Sequence, residues 1–476
     1  MSDAGEIREV VIAGAGVTGL SAALFLEAAA RAARRSVRIT VLEASHRTGG
    51  AIATRTEGGF LMEEGADSLV RVKPAAIELC NELGLGGELL PTRPGPARTL
   101  IVRNGRLMPL PMGFHLFAPS SLRPLATAPV FSWPGKLRMS MDLFLPRRRR
   151  SPGEDESLGS FVRRRLGREA LERLAQPMVA GIWSGDPDDL SLRATMPQWL
   201  EMEDRHRSVI LALRAQIRQS RQPDRAAGAR YSLFVTLRRG LGHLADTLRE
   251  RLPAGALRTG VRVVGLDRRG TRWRVATSEG TRTADAVILA LPVGETAALL
   301  RTVDEPLCRE VAAIPTSSCA TINLVYRTAD LPRPLDGYGF VCPQVEGRSL
   351  LACTFSSRKY EGRCDDAWSI LRGYVQDGLD RPEQDVIATV RSDLKDLMGL
   401  TAEPVVARFA RWDGVFPQYR TGHLDRVDRI ERLASALPGF ALAGNAYRGV
   451  GISDCVESAR RASREVIAAL ATVPVG

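Results

Sequence analysis

The glycine pattern near the start of the chain constrains the fold more than any other feature. It reads Gly14-Ala15-Gly16-Val17-Thr18-Gly19, a match to G-x-G-x-x-G, and it follows an apolar run at residues 10–13. A helical pattern over residues 20–33 and a second apolar run at 37–42 come next. This order predicts a β-α-β unit, whose parallel sheet would form the core of an α/β domain.

The same setting favours a dinucleotide site. The first glycine permits a tight turn, the second lets a pyrophosphate approach the backbone, and the third lets helix and strand pack closely. The helix start, with Val17 and Thr18, offers free amide groups and a partial positive charge to the phosphates. Glu43, followed by Ala44, ends the second predicted strand about where a ribose-binding acid is expected. The alternative is that the three glycines are ordinary turn residues.

Two further features favour a flavin over a nicotinamide. The ribose acid begins the run Glu43-Ala44-Ser45-His46-Arg47-Thr48-Gly49-Gly50, whose arginine and glycine pair extend the nucleotide site. Near the other end of the chain, a predicted strand at 440–443 leads through Gly444 and Gly449-Val450-Gly451 into a helix that starts at Ile452. The dipole of that helix would stabilise the negative charge that a flavin gains on reduction. No second fingerprint for a nicotinamide occurs, so we expect FAD, bound without a covalent link.

Composition and cysteine usage exclude several classes of protein. The chain has 476 residues, of which 44% are hydrophobic and 25% charged, so it is neither disordered nor a coiled coil and is long enough for two or three domains. The seven cysteines are scattered without a C-x-x-C, and the histidines are not spaced as ligands. We therefore expect no metal site and a reducing compartment. The acidic start of the chain predicts no signal peptide, and no apolar run reaches the ~18–20 residues that a membrane span needs.

The basic charge is unevenly distributed. The net charge is +12, and residues 89–141 hold no acid although they carry arginines among prolines and large apolar side chains. This favours a surface that faces a membrane, with apolar side chains in the interface and arginines at anionic headgroups. The alternative is a proline-rich core segment with incidental charge. We expect no nucleic-acid partner, since no recognised motif occurs and only 5% of the residues are aromatic.

Motifs along the whole chain carry a family resemblance. The broader ones are the glycine pattern, the run that begins at Glu43 and the run at residues 284–292. The narrower ones are Gly65-Ala66-Asp67-Ser68, Gly181-Ile182-Trp183-Ser184-Gly185-Asp186-Pro187, Phe416-Pro417-Gln418-Tyr419 and Gly444-Asn445-Ala446-Tyr447-Arg448-Gly449-Val450-Gly451-Ile452. On these motifs the chain resembles the protoporphyrinogen oxidases, oxygen-dependent flavoproteins of the amine-oxidase-like FAD superfamily. It departs from their pattern at Trp183-Ser184, at Ser453 and at Ala51.

The resemblance implies an activity. A porphyrinogen would lose six electrons in three rounds to FAD, and oxygen would take them up as hydrogen peroxide. The first substrate it implies is protoporphyrinogen IX, converted to protoporphyrin IX in haem biosynthesis. Because the flavin carries the hard step, no catalytic side chain is assigned.

Three alternatives to this activity stay open. The nearest is oxidation of coproporphyrinogen III to coproporphyrin III, the same chemistry on a more carboxylated ring. A flavin amine oxidase is more distant, since that branch uses a lysine near the flavin and the four lysines lie outside the motifs. A flavin-binding structural or redox-sensing protein without turnover is the alternative from another class.

The resemblance also implies site residues. In the substrate pocket Arg98 would pair with a propionate through its bidentate fork, with Gly181, Tyr338 and Val341 around the ring. The alternative for Arg98 is a solvated surface position. The implied flavin contacts, besides Gly14, Gly16, Val17, Thr18 and Gly19, are Glu43, Ala44, Arg47, Gly49, Gly50, Gly65, Ala66, Asp67, Ser68, Val263, Trp412, Gly444, Val450, Gly451 and Ile452. Among these, Val263 would contact the adenine through its backbone.

The expected architecture has three parts. A Rossmann-type FAD-binding domain would combine residues 1–90, 232–292 and 425–476, and a mixed-sheet substrate-binding domain would occupy 293–424. A largely helical membrane-binding and substrate-channel domain, with helical patterns at 158–178 and 196–220, would be inserted at 91–231. We expect peripheral association with the cytoplasmic face of the cell membrane, or a cytoplasmic location. Candidate partners are a porphyrinogen, molecular oxygen, a downstream ferrochelatase and a second copy in a homodimer.

Overall fold

The computed structural model describes residues 7–94, 99–151, 153–220, 227–228 and 234–472, and every element named below belongs to this part of the chain. The strands are β1 (Arg8–Ala13), β2 (Val37–Glu43), β3 (Thr54–Glu57), β4 (Phe60–Glu63), β5 (Leu69–Val70), β6 (Leu89–Pro91), β7 (Leu100–Arg103), β8 (Arg106–Pro109), β9 (Phe114–His115), β10 (Ala118–Pro119), β11 (Ala227–Gly228), β12 (Phe234–Leu237), β13 (Leu257–Thr259), β14 (Val263–Arg269), β15 (Arg272–Thr277), β16 (Gly280–Ala284), β17 (Ala286–Leu289), β18 (Thr316–Arg327), β19 (Gly339–Val341), β20 (Leu350–Phe355), β21 (Trp368–Val375), β22 (Val406–Pro417) and β23 (Phe440–Leu442). The α-helices are α1 (Val17–Ala32), α2 (Ala75–Glu82), α3 (Leu122–Thr127), α4 (Trp133–Ser140), α5 (Leu158–Arg165), α6 (Arg168–Ala170), α7 (Gln176–Trp183), α8 (Leu192–Thr195), α9 (Pro197–His206), α10 (Val209–Ser220), α11 (Gly242–Glu250), α12 (Val293–Leu300), α13 (Glu305–Ala312), α14 (Ser356–Lys359), α15 (Glu383–Met398), α16 (His423–Ser435) and α17 (Ile452–Thr472).

A five-stranded parallel sheet carries the N-terminal glycine pattern. Its order is β13-β2-β1-β17-β23, and all neighbouring strands pair in parallel. Parallel strands are covered on both faces, which is why β1 contains the continuous apolar run Val10-Val11-Ile12-Ala13, all of it buried. The five strands come from three separated stretches of the chain, so segments near both ends lie in one sheet. The predicted β-α-β unit and the α/β fold class are confirmed.

Alternate residues of the parallel sheet face two different cores, as the two-residue period of a strand requires. On one face, Val10 and Ile12 pack with residues of α1, α2, α11 and α17. On the other face, Val11 and Ala13 pack with the antiparallel strands β14, β15 and β16 and with α12, α13 and α16. The first and last helices also contact each other directly, since the Ser463 hydroxyl of α17 donates to the Ala22 carbonyl of α1 at 2.9 Å.

A seven-stranded mixed sheet forms the second large element, in the order β22-β18-β21-β20-β19-β7-β8. Its neighbours are antiparallel except β19 and β7, and α15 packs on one face. The hairpin of β7 and β8 follows the predicted domain boundary at residue 91. It turns at Asn104-Gly105, both at positive φ, and extends the edge of this sheet, while Ile101 and Met108 also pack in the core of the helices that follow. Pairing with β19, far along the chain, has no local sequence signal.

The helices from α3 to α10 share a separate apolar core. The two helical patterns predicted there are interrupted, the first at Gly167 with φ +95° and the second at Arg207 with φ +64°. The break at Arg207 is stabilised by the buried Arg165, which donates to the Arg207 carbonyl at 2.7 Å and to the Asp142 carboxylate at 2.7 Å. Across the described ranges, no helix combines the length and apolar character that crossing a membrane requires.

Candidate functional site

The glycine pattern forms the turn between β1 and α1. A side-chain carbon on Gly14, whose φ is +97°, would lie 2.4 Å from the Ala290 carbonyl oxygen. A carbon on Gly19 would lie 1.9 Å from the Gly14 carbonyl oxygen, so the close packing of turn and helix requires glycine at both positions. Gly16 differs, because the nearest atom to an added carbon is the Gly50 Cα at 3.7 Å. Its uncrowded backbone, just before the start of α1, is the part of the turn that a ligand can approach.

Glu43 ends β2 beside this turn. Its carboxylate accepts hydrogen bonds from the Ala15 amide at 2.8 Å and from the amide and hydroxyl of Ser45, each at 2.9 Å. Its backbone carbonyl accepts from the Val261 amide at 2.8 Å, which brings β14 and its first residue, Val263, to the same edge of the parallel sheet. The predicted ribose acid, its half-buried neighbour Ala44 and the predicted adenine contact therefore lie on adjoining segments.

The glycine pair after Arg47 lies against the glycine pattern. Gly49 donates its amide to the Ala15 carbonyl at 2.8 Å, and a carbon added to Gly50 would lie 3.1 Å from the Gly16 Cα. The Arg47 guanidinium donates to three backbone carbonyls between residues 48 and 52. In this structure Arg47 therefore stabilises the turn that carries the glycine pair.

Side chains of the seven-stranded sheet hold the loop at residues 63–68, which follows β4. The carbonyl of Glu63 accepts from Asn323 at 3.0 Å, and the carbonyl of Glu64 accepts from Thr321 at 2.6 Å and from Trp412 at 2.9 Å. Arg372 donates to the next carbonyl, that of Gly65. The seven-stranded sheet thus hydrogen-bonds to three successive carbonyls, which fixes the path of the loop. The side of the loop that faces this sheet is called its back.

The other side of this loop packs on the residue after the glycine pair. A carbon added to Gly65 would lie 1.9 Å from the Ala51 carbonyl oxygen and 3.3 Å from the Trp412 ring. The Ala66 amide donates to the same carbonyl at 3.2 Å. The predicted flavin residues Gly65 and Ala66 therefore contact Ala51, which follows the glycine pair, and Gly65 also lies against the predicted flavin residue Trp412.

Asp67 and Ser68 close the loop with a buried lysine. Lys359 is 8% exposed and donates to the Asp67 carboxylate at 2.8 Å and to the Ser68 hydroxyl at 2.9 Å. Burial raises the pKa of the Asp67 carboxyl, but the charges of Lys359 and Arg372 outweigh burial and hold that pKa well below its usual range. Lys359 lies outside the motifs in the sequence, but folding brings it to the 65–68 motif.

The turn between β23 and α17 contacts two cores. Ala443 and Ile452 pack in the core around α1, whereas Val450 packs against the core of the helices α3 to α10. A carbon added to Gly444, whose φ is +127°, would meet nothing within 4 Å. Gly451 precedes the helix and donates its amide to an Asp454 side-chain oxygen at 3.1 Å. A ligand at this turn would touch the parallel sheet on one side and an apolar wall on the other.

Tyr419 holds this turn together. Its hydroxyl donates to the Asn445 carbonyl at 2.6 Å and accepts from the Gly449 amide at 2.8 Å. Its ring stacks on His423, with centroids 3.8 Å apart, and lies 5.2 Å from the Trp183 ring. Burial lowers the pKa of His423 to about 4, so this imidazole is neutral near pH 7. The motif at residues 416–419 thus connects the C-terminal turn to α7.

Two of the four predicted substrate residues border the core that Val450 contacts. Val341, on β19, packs against that core, and Gly181 is an exposed position on α7 where an added carbon would meet nothing within 4 Å. Tyr338 is 6% exposed and donates its hydroxyl to the Arg93 carbonyl. Arg98 lies outside the described residues.

Sequence reasoning missed the polar side chains behind the 63–68 loop. Thr321 and Asn323 carry a weak signal, since they alternate with apolar residues in β18. Lys359 and Arg372 carry none, because nothing in their neighbourhoods distinguishes them from other basic residues. In the part of the chain that the structure describes, no group of three or more His, Cys, Asp or Glu side chains could hold a metal ion.

Comparison with known proteins defines the class. Residues 17–467 match the family described as flavin containing amine oxidoreductase, so the chain belongs to that family and is a flavin-dependent oxidoreductase. The coproporphyrinogen III oxidase of Propionibacterium freudenreichii subsp. freudenreichii is 35% identical, over 98% of this chain and 92% of that protein. The protoporphyrinogen oxidase of Homo sapiens is 30% identical, over 97% of this chain and 98% of that protein.

A solved structure gives the same result. A crystal structure from Exiguobacterium sp. 255-15, proposed to be of a protoporphyrinogen oxidase, matches with a TM-score of 0.86 at 30% identity and covers 98% of this chain and 99% of that one. The predicted resemblance to the protoporphyrinogen oxidases is therefore confirmed, and so is a flavin as the cofactor.

Proposed function

We propose that the protein binds FAD non-covalently and oxidises a porphyrinogen to the porphyrin, with molecular oxygen as the electron acceptor. When bound, the flavin would take up the hydrogens that the substrate loses. The observation that carries the proposal is the C-terminal turn, which contacts both the core of the parallel sheet and the apolar core of the helices. The first surface suits a nucleotide cofactor, and the second suits a broad apolar ring.

Three segments fit the cofactor. Gly16 and the start of α1 would bind the pyrophosphate, and Glu43 would accept from the ribose hydroxyls, with Val263 at the adenine. The flavin ring would lie where three segments meet: the turn that carries the glycine pair, the 65–68 motif and the C-terminal turn. The residues concerned are Gly49, Gly50, Gly65, Ala66, Asp67, Ser68, Trp412, Gly444, Val450, Gly451 and Ile452. Uncrowded backbone at Gly16 and Gly444 supports this assignment. The apolar wall at Val450 and Val341 would exclude water from the substrate side.

For the substrate we favour coproporphyrinogen III, with protoporphyrinogen IX as the second candidate. Resemblance alone implies protoporphyrinogen IX first. The relative named coproporphyrinogen III oxidase is 35% identical, however, against 30% for the human protoporphyrinogen oxidase, and this difference supports the reversed order. The two substrates undergo the same six-electron chemistry and differ in how many carboxylates the ring carries.

Anaerobic mixing of the purified protein with each porphyrinogen tests the activity. We expect loss of the flavin absorbance, followed on admission of oxygen by porphyrin fluorescence and hydrogen peroxide, with the higher kcat/KM for coproporphyrinogen III. Peroxide from simple amines and none from either porphyrinogen would favour an amine oxidase. A yellow protein that neither porphyrinogen bleaches would support a redox partner without turnover.

Arg98 would bind a substrate carboxylate, an assignment that rests on the family resemblance. Its replacement by alanine should raise KM for either porphyrinogen and leave the flavin content normal. Arg106→Ala is the matched control, because Arg106 is an exposed residue of the neighbouring strand β8. An unchanged KM in Arg98→Ala would count against the role of this arginine. Gly181, Tyr338 and Val341 are proposed to surround the ring.

The acid-free segment is proposed to bind a membrane surface. Exposed apolar side chains lie on α4, near the end of this segment, and just beyond it: Trp133 is 74% and Leu137 69% exposed, and Phe144, which follows Asp142, is 79% exposed. Lys136 lies over the Trp133 ring at 4.5 Å, which places a cation beside the apolar patch as anionic headgroups favour. We expect a peripheral location at the cytoplasmic face of the membrane.

Sedimentation with vesicles tests this surface. The wild-type protein should sediment with vesicles that contain anionic lipid, and the double variant Trp133→Ser, Phe144→Ser should do so less. Val264→Ser with Val345→Ser removes two exposed apolar side chains elsewhere and is the control. Equal sedimentation of both double variants would contradict the assignment.

The division into three domains is part of the same proposal. The FAD-binding domain would keep its predicted bounds, and residues 100–109 would pass to the substrate-binding domain because β7 and β8 lie in its sheet. The remaining helices before residue 231 would form the substrate channel. A homodimer, testable by analytical ultracentrifugation, and a ferrochelatase that consumes the product are further proposals.

A further inference from the structure

A cluster of buried charges lies behind the 63–68 loop. Three cations, Lys359, Arg363 and Arg372, have side chains that are 10%, 2% and 2% exposed, and the carboxylates paired with them among the described residues are two, Asp67 and Glu63. Lys359 lies 2.8 Å and Arg372 3.7 Å from the Asp67 carboxylate, whereas Arg363 lies 3.9 Å from that of Glu63. The cluster therefore carries at least one positive charge in excess.

The groups packed on the cluster do not cancel this excess. Burial raises the pKa of the phenols of Tyr360 and Tyr374, for Tyr374 to about 12, so both are neutral near pH 7. Burial also raises the pKa of Glu63, and that shift can only reduce the negative charge. The nearby carboxylate of Glu64 is paired with Arg55 on the more exposed side.

Arg372 directs the excess charge at the loop. Its guanidinium donates to the Gly65 carbonyl and lies over the Tyr374 ring at 4.8 Å. Its Nε is buried and has no hydrogen-bond partner among the described residues. An incompletely compensated buried charge costs several kcal/mol. A negative charge on the far side of the loop would offset that cost.

We propose that Lys359 and Arg372, with Asp67 as their counter-ion, are positioning residues that hold positive charge behind the flavin and stabilise the negative charge it gains on reduction. The inference rests on the proposed function, in which the 65–68 motif contacts the flavin ring. Because the cluster is largely shielded from water, its charge acts with little screening across the thin loop.

A substrate carboxylate is the other negative group that this charge could serve. The hydrogen bonds argue against direct contact, because the Lys359 ammonium is engaged with Asp67 and Ser68 and Arg372 is engaged with the Gly65 carbonyl. Both side chains are also 10% exposed or less, which leaves little of either open to a ligand. The cluster therefore acts through the loop.

The test measures the midpoint potential of the flavin in the holoenzyme by anaerobic equilibration with redox dyes. Lys359→Met removes the charge at nearly constant length, and we expect reduction to become at least tenfold less favourable, ~30 mV for a two-electron couple. Asp67→Asn changes the charge in the opposite direction and should raise the potential. Lys359→Arg keeps the charge, and Lys395→Met removes an exposed lysine of α15, so both should match the wild type.

Opposite shifts for Lys359→Met and Asp67→Asn would support the proposal, since general damage to the site would not reverse its sign. Unchanged potentials, or shifts of one sign, would overturn it. A raised KM for porphyrinogen at constant potential would also overturn it, because that result marks a substrate contact. If Lys359→Met purifies without flavin, the other two variants decide the test: a raised potential in Asp67→Asn together with an unchanged potential in Lys359→Arg would support the proposal. A colourless wild-type protein would refute the proposed function itself.

Discussion

Replacing Tyr419 by phenylalanine should loosen the turn between β23 and α17 while leaving the surrounding packing intact. The side chain is fully buried, and its hydroxyl joins the two ends of the turn through the Asn445 carbonyl at 2.6 Å and the Gly449 amide at 2.8 Å. Phenylalanine keeps the ring that packs on His423 and Trp183. The variant therefore loses two hydrogen bonds and little else.

The cost follows from the burial of the two partners. A buried polar group left without its partner costs ~1–3 kcal/mol. Gly449 is buried, so the full cost applies to its amide. Asn445 is half-buried, so its carbonyl can hydrogen-bond to water and should cost less. We expect a total of ~2–3 kcal/mol. If the turn holds the flavin, this loss weakens binding, and at 1.4 kcal/mol per factor of ten the Kd for FAD should rise by roughly 30-fold to 140-fold.

Titration of the flavin-free protein with FAD, followed by quenching of flavin fluorescence, measures this effect. Tyr447→Phe is the matched control, since it makes the same chemical change in the same turn and its hydroxyl has no hydrogen-bond partner among the described residues. A Kd for Tyr419→Phe within twofold of the wild type would refute the reasoning. Equal weakening by Tyr447→Phe would show that loss of any hydroxyl from this turn is enough.

Three other buried positions give outcomes of different kinds. The pKa of His423 is about 4 in the folded protein and 6.5 ordinarily, so only the unfolded state takes up a proton between these two pH values. The free energy of unfolding should therefore fall by ~3 kcal/mol as the pH drops from 6.5 to 4. In denaturation curves measured over this range, His423→Gln should reduce the dependence of the unfolding free energy on pH. Gly19→Ala puts a carbon 1.9 Å from the Gly14 carbonyl oxygen and should abolish flavin content in the purified protein. Arg165→Met leaves Asp142 buried and unpaired and should lower the free energy of unfolding by ~3–5 kcal/mol, whereas Arg168→Met, at an exposed pair with Glu172, should leave it nearly unchanged.

The parts of the fold that could be predicted are those with a local signal. The first β-α-β unit is one, because its apolar runs, glycine turn and helical period follow one another within a few dozen residues. The long strand β22 is the opposite case. Charged residues such as Arg408, Arg411 and Asp413 interrupt its apolar pattern. Such residues are typical of a strand at the edge of a sheet, and β22 lies at such an edge. It carries Trp412, so a predicted site residue lies on an unpredicted strand.

The candidate site divides in the same way. Its predicted members come from short motifs, each of which places several residues side by side once the turn forms, and the structure brings the glycine pattern, Glu43, the 65–68 motif and the C-terminal turn to adjoining segments. The members that were missed act across the chain. Asp67 and Lys359 are 292 residues apart, and Gly65 and Arg372 are 307 apart. Their contacts depend on how two sheets are packed, which no run of residues encodes.

The polar side chains of β18 that hydrogen-bond to the loop were not predicted as part of the site, although part of their sequence pattern is visible. Thr321 and Asn323 alternate with Ala320, Ile322 and Leu324, a period that ordinarily indicates one face toward a core and one toward water. Here both polar residues are 3% exposed or less, and they donate to the carbonyls of residues 63 and 64. A strand pattern therefore tells which face is polar, but whether water or another backbone meets that face is decided by the packing of distant segments. At this site it is a backbone, and the hydrogen bonds it receives fix the loop on which the proposed flavin contacts depend.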